Sequence, residues 1–149
     1  MRRILRGFAA AGLAAMAGAA QAGDAITWTV EDSFDNVAFA IESEIVGRGF
    51  VIDHLSHVGE MLERTKADVS ATKTIFNQAD VYRFCSATVS RAVMEIDPLN
   101  IVHCPYGIFV YETPEAEGKI TVGFTDYPEG SMQQVEDLLT DIVKTALGI

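Results

Sequence analysis

The sequence predicts one α+β domain of two layers, in which helices cover a curved, mostly antiparallel sheet. Three observations support this class. Stretches that alternate apolar and polar residues, typical of strands, are interrupted by stretches with apolar residues three and four apart, typical of helices. The last two predicted strands are joined by a short loop, so they would pair antiparallel. The chain that follows the first 22 residues has about 127 residues, the size of a single domain.

The first 22 residues have the layout of a secretory signal peptide. Three arginines within the first six residues precede an apolar run of small residues, and Ala20-Gln21-Ala22 fits a cleavage site. The apolar run of about 14 residues is shorter than the roughly 20 that a membrane-spanning helix needs. We therefore expect a periplasmic or secreted protein with a signal peptide over residues 1–22, a single domain over residues 23–149, and no membrane anchor in the mature form.

The mature domain is strongly acidic. Removal of the three arginines of the leader leaves 8 basic against 21 acidic residues, which moves the formal net charge from −10 to −13. Such a charge repels nucleic acid and anionic membrane surfaces, so we expect neither as a partner. It is compatible with a solvated exterior, with cationic partners or with metal ions.

The first part of the domain predicts two strands with a helix between them. Ile26–Ser33 alternates apolar and polar residues, as a half-buried strand does. Ser33 is then expected to cap a helix with apolar residues at helical spacing, which Gly47 or Gly49 would end. Phe50–Val58 is the second predicted strand, and the segment EMLERT after it predicts a short helical turn.

The middle of the domain predicts a short strand and the helix with the strongest apolar periodicity. Thr72–Asn77 is expected to form the third strand. Apolar residues recur at helical spacing over Ala79–Ile96, which predicts a helix with Cys85 on its buried face. Asp97 and Pro98 would end this helix, because the residue before a proline resists helical dihedral angles.

The last part of the domain predicts a hairpin followed by a helix. The segment GIFVYE and Lys119–Tyr127 would be strands, joined by the loop Thr113–Gly118. Ser131 and Gln134 fit a capping box at the start of a helix whose apolar face continues to the end of the chain. The predicted order is β-α-β-β-α-β-β-α.

Several of these segments resemble a known family. IFNQAD, HCPYGIFVYE and ITVGFTDYPEG, at this spacing, resemble the exported branch of the domain of unknown function family 302, over roughly residues 34–130. The resemblance implies a TATA-binding-protein-like α+β fold and a tendency to form homodimers, but no particular activity and no catalytic residues. The positions that match the recurrent pattern of the family are Asn77, Pro105, Tyr111 and Glu112.

The only two cysteines of the chain, Cys85 and Cys104, are the first candidates for chemistry. In an oxidising compartment they predict an intramolecular disulfide, and the chain between them is long enough to bring them together. Two separate core thiols, a redox or sulfur-carrying thiol, and metal ligation are the alternatives. An imidazolium at His103 can lower the pKa of the Cys104 thiol, although adjacent residues of a strand point to opposite faces.

A pocket between sheet and helices is the expected binding site. Its residues would be Asn77, Cys85, His103, Cys104 and Tyr106, with Tyr111 and Glu112 as further candidates. We expect no catalytic residue, no resident metal and no cofactor. Copper(I) is the alternative, since His54, His57 and Met61 supply ligands that it prefers.

The favoured function is a small periplasmic binding or accessory protein for a small molecule or a soft metal, rather than an enzyme. One alternative is a thiol-dependent redox or sulfur-carrier protein that uses Cys104 and Cys85. The other is a non-catalytic structural dimer.

Overall fold

A computed structural model of the protein describes residues 24–149. The signal peptide expected over residues 1–22 lies outside the described residues. In chain order, the elements are β1 (Ala25–Glu31), α1 (Phe34–Gly47), β2 (Ile52–His57), α2 (Val58–Thr65), β3 (Gln78–Phe84), α3 (Ala87–Ile96), β4 (Tyr106–Glu112), β5 (Lys119–Thr125) and α4 (Gln133–Leu147), with short 3-10 helices at Pro98–His103 and Pro114–Ala116.

The strands form one five-stranded sheet in the order β1-β5-β4-β3-β2, and every neighbouring pair is antiparallel. The sheet is open, because its edge strands β1 and β2 do not pair with each other. Helices pack against one of its faces, which confirms the predicted two-layer α+β class.

The core lies between this sheet face and the helices α1 and α4. Alternate residues of each central strand point into it, and burial of their apolar surface is the main favourable contribution to folding. The α1 residues that meet them recur at helical spacing, as the sequence predicted. Completely buried side chains include Ile108 and Val110 of β4, Ile120, Val122 and Phe124 of β5, Ile41 and Ile45 of α1, and Leu139, Ile142 and Val143 of α4. Of the helices within residues 24–149, none combines the length and apolar character that crossing a membrane requires.

The opposite face of the sheet, called the open face below, is partly exposed. Val81 of β3 and Phe109 of β4 are half-buried there, and Thr27 of β1 is exposed. Gly123 of β5 pairs with Phe109, whose ring lies where a side chain of residue 123 would stand. The glycine therefore lets an aromatic ring and a neighbouring strand approach its backbone closely.

Two sequence predictions in the middle of the chain were wrong. Thr72–Asn77 is irregular, and the strand begins at Gln78. The predicted helix Ala79–Ile96 is strand β3 in its first part and helix α3 only from Ala87. The reason is that β3 gains hydrogen bonds and packing from two neighbours, β2 and β4, which outweigh a helical spacing of apolar residues.

The start of the last helix also differs from the prediction. α4 begins at Gln133, and its N-cap residue Met132 makes no side-chain capping bond. Instead of capping, the Ser131 hydroxyl accepts a hydrogen bond of 3.3 Å from the side-chain amide of Asn100. The hydroxyl that a capping box would use is thus bonded to a residue distant in sequence.

Gly123→Ala should destabilise the fold by about 1–3 kcal/mol, the usual cost of overpacking. Its Cβ would lie 2.7 Å from Cζ of Phe109 and against the backbone oxygen of Ile26, which cannot move aside alone. Urea denaturation followed by circular dichroism measures the free energy of unfolding.

Gly47→Ala is the matched control, because no atom lies within 4 Å of its added Cβ. At the end of α1 it should leave stability unchanged or raise it by up to about 1 kcal/mol. Equal stability of Gly123→Ala and the wild type would contradict the packing described for the open face.

Candidate functional site

A cleft of about 870 Å³ opens between α1 and α2, above the first half of β3. Its floor is apolar and aromatic: Phe34 of α1 and Tyr82 of β3 are buried there, and Phe76 stands beside them. Phe39 lies at the rim, with 71% of its surface exposed. An exposed aromatic side chain beside an apolar floor is typical of a surface that receives a ligand.

The start of α1 determines which side chains reach the rim of the cleft. The Ser33 hydroxyl accepts a hydrogen bond of 3.2 Å from the Asn36 amide and caps the helix, as predicted from the sequence. Asp35, Phe39 and Glu42 then follow at spacings of four and three, so they share one helix face. That face lines the cleft.

The charge around the cleft is strongly negative. Arg64 is a cation in the lining, and His57 becomes one when it is protonated. The lining also has five carboxylates, which outnumber these cations. They are Asp35 and Glu42 of α1, Glu60 and Glu63 of α2, and Asp80 of β3.

Tyr82 reports this negative potential at the floor of the cleft. Its pKa is raised to about 12, first because burial disfavours the phenolate and then because Asp80 and Glu42 repel it. Its hydroxyl donates a hydrogen bond of 3.4 Å to the backbone oxygen of Ala38. The phenol is therefore neutral at physiological pH and supplies a polar end to an apolar floor.

His57 and Asp80 form an ion pair at the cleft that depends on protonation of the histidine. His57 Nδ1 lies 2.8 Å from Asp80 Oδ1, and 53% of the histidine side chain but only 14% of the aspartate side chain is exposed. The hydrogen bond to Asp80 and the charge of Asp80 raise the pKa of His57.

A second pocket of about 330 Å³ lies on the open face, at the other end of β3. Arg83 of β3 and His103 line it together with Cys104 and Tyr127. The His103 ring packs edge-on against Tyr127, with the ring centroids 5.6 Å apart. Among the described residues that line this pocket, none is acidic, so its charge is opposite to that of the cleft.

Cys85 and Cys104 are joined in a disulfide bond beside this pocket, which confirms the predicted pairing. Their Cα atoms are 6.5 Å apart, because Cys85 follows the last residue of β3 and Cys104 shortly precedes the paired strand β4. The placement of Cys85 on a helix was wrong, since it lies in the junction between β3 and α3.

The residues expected to line a single pocket lie in three places. His103 and Cys104 line the second pocket and Cys85 is bonded to Cys104, whereas Asn77 lines the cleft. Tyr106 is completely buried, and its hydroxyl lies 2.9 Å from that of Ser90. The extended strand β3, about 20 Å long, separates Asn77 at one end from Cys85 at the other. The predicted helix would have kept these residues closer together.

Asn77, Glu112 and Tyr111 lie at the far end of β4. The Asn77 side-chain amide donates to Glu112 at 3.2 Å, and the same carboxylate accepts from the Gly118 amide at 2.7 Å. Tyr111 packs against Phe76, with ring centroids 5.3 Å apart. These contacts give the three residues a role in joining loops to the sheet.

A groove beside α2 is lined by His54, His57 and Met61, the residues weighed for copper. Nδ1 of His57 is bonded to Asp80. Within residues 24–149, no group of three or more histidine, cysteine or acidic side chains is arranged to hold a metal ion.

The cleft itself was missed at the level of sequence. The available signal was Phe39, an aromatic residue on the polar side of α1, at helical spacing from two acidic residues. The carboxylates of α2 and β3 carry no such signal, since only the fold brings them to α1.

Comparison with known proteins agrees with a small two-layer α+β domain. The model of the family "Domain of unknown function DUF302" matches residues 26–147, so the chain belongs to this family, as its motifs suggested. A similar fold is seen in the crystal structure of uncharacterized conserved protein DUF302 from Bacillus stearothermophilus. That protein is 15% identical, with a TM-score of 0.57 over 83% of this chain and 88% of the other. No curated protein matches the chain.

Asp80→Asn should lower the pKa of His57 toward the value of about 6.5 found in unstructured peptides. The pKa of His57 is raised in the folded chain, so the stabilisation from the pair is complete below about pH 6.5 and is lost as the pH rises through the folded-state pKa. NMR titration of the imidazole signals measures the shift directly.

Asp137→Asn, which removes an exposed carboxylate of α4 outside the cleft, is the matched control and should leave the titration of His57 unchanged. An equal pKa of His57 in the wild type and in Asp80→Asn would show that the two side chains do not pair in solution.

Proposed function

We propose that this protein is a small exported binding protein whose cleft takes a cationic small molecule with an apolar or aromatic body. One observation carries the proposal: the rim of the cleft is rich in carboxylates, and its floor is aromatic. The volume of about 870 Å³ lies within the range of about 300–1,000 Å³ that is usual for small-molecule sites.

The carboxylates of the rim are available to a ligand. Within residues 24–149, Asp35, Glu42 and Glu60 make no salt bridge. Each would attract a cation at contact distance by about 1 kcal/mol in water, and more where the ligand excludes solvent. A ligand with a carboxylate would be repelled by each of these side chains by a similar energy. The charge of the cleft therefore selects for amines, guanidinium groups and quaternary ammonium groups.

The aromatic side chains supply the other half of the recognition. A cation over the face of Phe39 or Phe76 would gain about 0.5–1 kcal/mol at an exposed site. An apolar ligand body that covers Phe39 also removes its exposed surface from water, at about 25 cal/mol per Å². Ligands with both a charge and an apolar body therefore use the whole cleft, whereas simple cations use only its rim.

Export is part of the same proposal. It is supported by the signal-peptide pattern of the first 22 residues and by the disulfide, which persists in oxidising compartments. In the periplasm or outside the cell, such a protein would encounter amines that the cell takes up from its surroundings or releases into them.

Titration with 4-phenylbutylamine, 4-phenylbutanol and 4-phenylbutyrate tests the chemistry of the cleft. The three probes share one apolar body and differ in charge. We expect the amine to bind most tightly and the acid most weakly, with NMR shift changes of the amine confined to residues 34–42, 57–64 and 74–82. Equal affinity for amine and acid would contradict the proposal.

Glu42→Gln should weaken binding of 4-phenylbutylamine about fivefold, the factor for one unit charge at contact distance in water, and leave binding of the alcohol unchanged. Phe39→Ala should weaken both probes. Asp137→Asn and Leu99→Ala remove an equivalent charge and a similarly exposed apolar side chain outside the cleft. If these controls weaken binding as much as the cleft variants do, the probes bind elsewhere.

A further inference from the structure

The pocket that borders Cys104 combines three features not used by the cleft. It lies on the opposite face of the sheet, it holds a disulfide at its wall, and its lining has cationic but no acidic side chains among the described residues. In a chain with 21 acidic and 11 basic residues, such a lining stands out. The pocket volume of about 330 Å³ suits a ligand of a few heavy atoms.

Arg83 gives this pocket its charge. One guanidinium nitrogen donates a hydrogen bond of 3.3 Å to the Pro105 backbone oxygen, which orients the group. Its Cζ lies only 3.3 Å from where Gly107 would carry a Cβ, so the side chain lies across the glycine on the open face. Within residues 24–149, Arg83 makes no salt bridge, so most of its five N–H donors are available to an anion.

The charge of Arg83 acts across the pocket. Burial and the neighbouring Tyr106 raise the pKa of Tyr127 to about 12, and the positive charge of Arg83 opposes this rise. Tyr127 lines the far side of the same pocket. A small anion bound between Arg83 and Tyr127 would therefore be attracted by the positive charge of the guanidinium group.

Of the two bonded cysteines, Cys104 is among the residues that line this pocket and Cys85 is not. Both are half-buried, and Cys85 lies at the β3–α3 junction. The Ser90 hydroxyl lies 3.9 Å from Cys104 Sγ on the helix side. A nucleophile bound in this pocket would therefore lie beside Cys104 rather than Cys85.

We propose that this pocket is a thiol–disulfide exchange site for a small anionic thiol, whose carboxylate binds Arg83 while its thiolate attacks Cys104 Sγ. The new sulfur–sulfur bond joins the thiol to Cys104, the Cys85–Cys104 bond breaks, and Cys85 leaves as a thiolate that takes a proton from water. Attack by Cys85 on the mixed disulfide returns the starting state. Alternatively, a second small thiolate attacks the sulfur of the first small thiol in the mixed disulfide. This attack releases the disulfide of the small thiol and leaves Cys85 and Cys104 reduced. The oxidant is therefore the Cys85–Cys104 disulfide itself.

Cys85 is suited to the role of leaving group. It immediately precedes Ser86, the N-cap residue of α3, where the positive end of the helix dipole stabilises a thiolate. A more stable thiolate leaves faster in disulfide exchange. The direction of attack, on Cys104 with release of Cys85, follows from both the pocket and the helix.

Three thiols of similar size and different charge test the site: 3-mercaptopropionate, 2-mercaptoethanol and cysteamine. Rates of mixed-disulfide formation are measured by intact mass spectrometry on the folded protein, in the wild type and in Arg83→Gln. For each thiol, the ratio of the wild-type rate to the variant rate cancels the intrinsic reactivity of that thiol. We expect a ratio of about five for the acid, about one for the alcohol and less than one for the amine.

Arg91→Gln is the matched control, because Arg91 is exposed on α3 and pairs with Glu95 outside the pocket. It should give nearly equal ratios for the three thiols. Peptide mapping after alkylation should locate the mixed disulfide on Cys104 and the alkyl group on Cys85. Equal ratios in Arg83→Gln, a mixed disulfide on Cys85, or a folded protein inert to all three thiols would each overturn the proposal.

Discussion

The antiparallel pairing of β3 with β4 is the constraint on which both candidate sites depend. Because side chains alternate along a strand, this register turns Asp80 and Tyr82 toward α1 and turns Val81 and Arg83 toward the open face. A slip of one residue would exchange the two sets and remove the cleft floor and the second pocket together. The same pairing brings the residue after β3 beside the residues before β4, and the disulfide forms there.

The two sites have opposite charge although they share this strand. The formal net charge of −10 agrees with the cleft, which five carboxylates line, but not with the second pocket, whose described lining has no acidic side chain. The sheet separates the two sites, so a cation in the cleft and an anion in the pocket would not contact each other. The fold thus places two candidate sites on one small domain, one for the proposed binding and one for the proposed exchange at sulfur.

The class of fold followed from the sequence wherever only one periodicity fitted a segment. α1, β4 and β5 each show a single clear pattern, and each was predicted close to its observed position. Residues 79–84 fit both a helix and a strand, and they were assigned to the wrong one. A local signal separates the two: Ser86 caps α3 by accepting from the Val89 amide, so the helix begins after the strand. The disulfide was predictable from the two cysteines of a chain that its sequence led us to expect in an oxidising compartment. The cleft was not, because three elements that are distant in sequence supply its lining.

The most direct test of this account is the cross-strand NMR contact pattern of residues 78–84. If β3 is a strand in the described register, its backbone protons will show contacts with β4 that pair Asp80 with Val110 and Tyr82 with Ile108, and its carbon shifts will be those of extended backbone. Continuous helical shifts and sequential helical contacts from residue 79 to residue 96 would contradict it. So would a register moved by one residue, since the side chains of the cleft and of the pocket would then lie on the wrong faces.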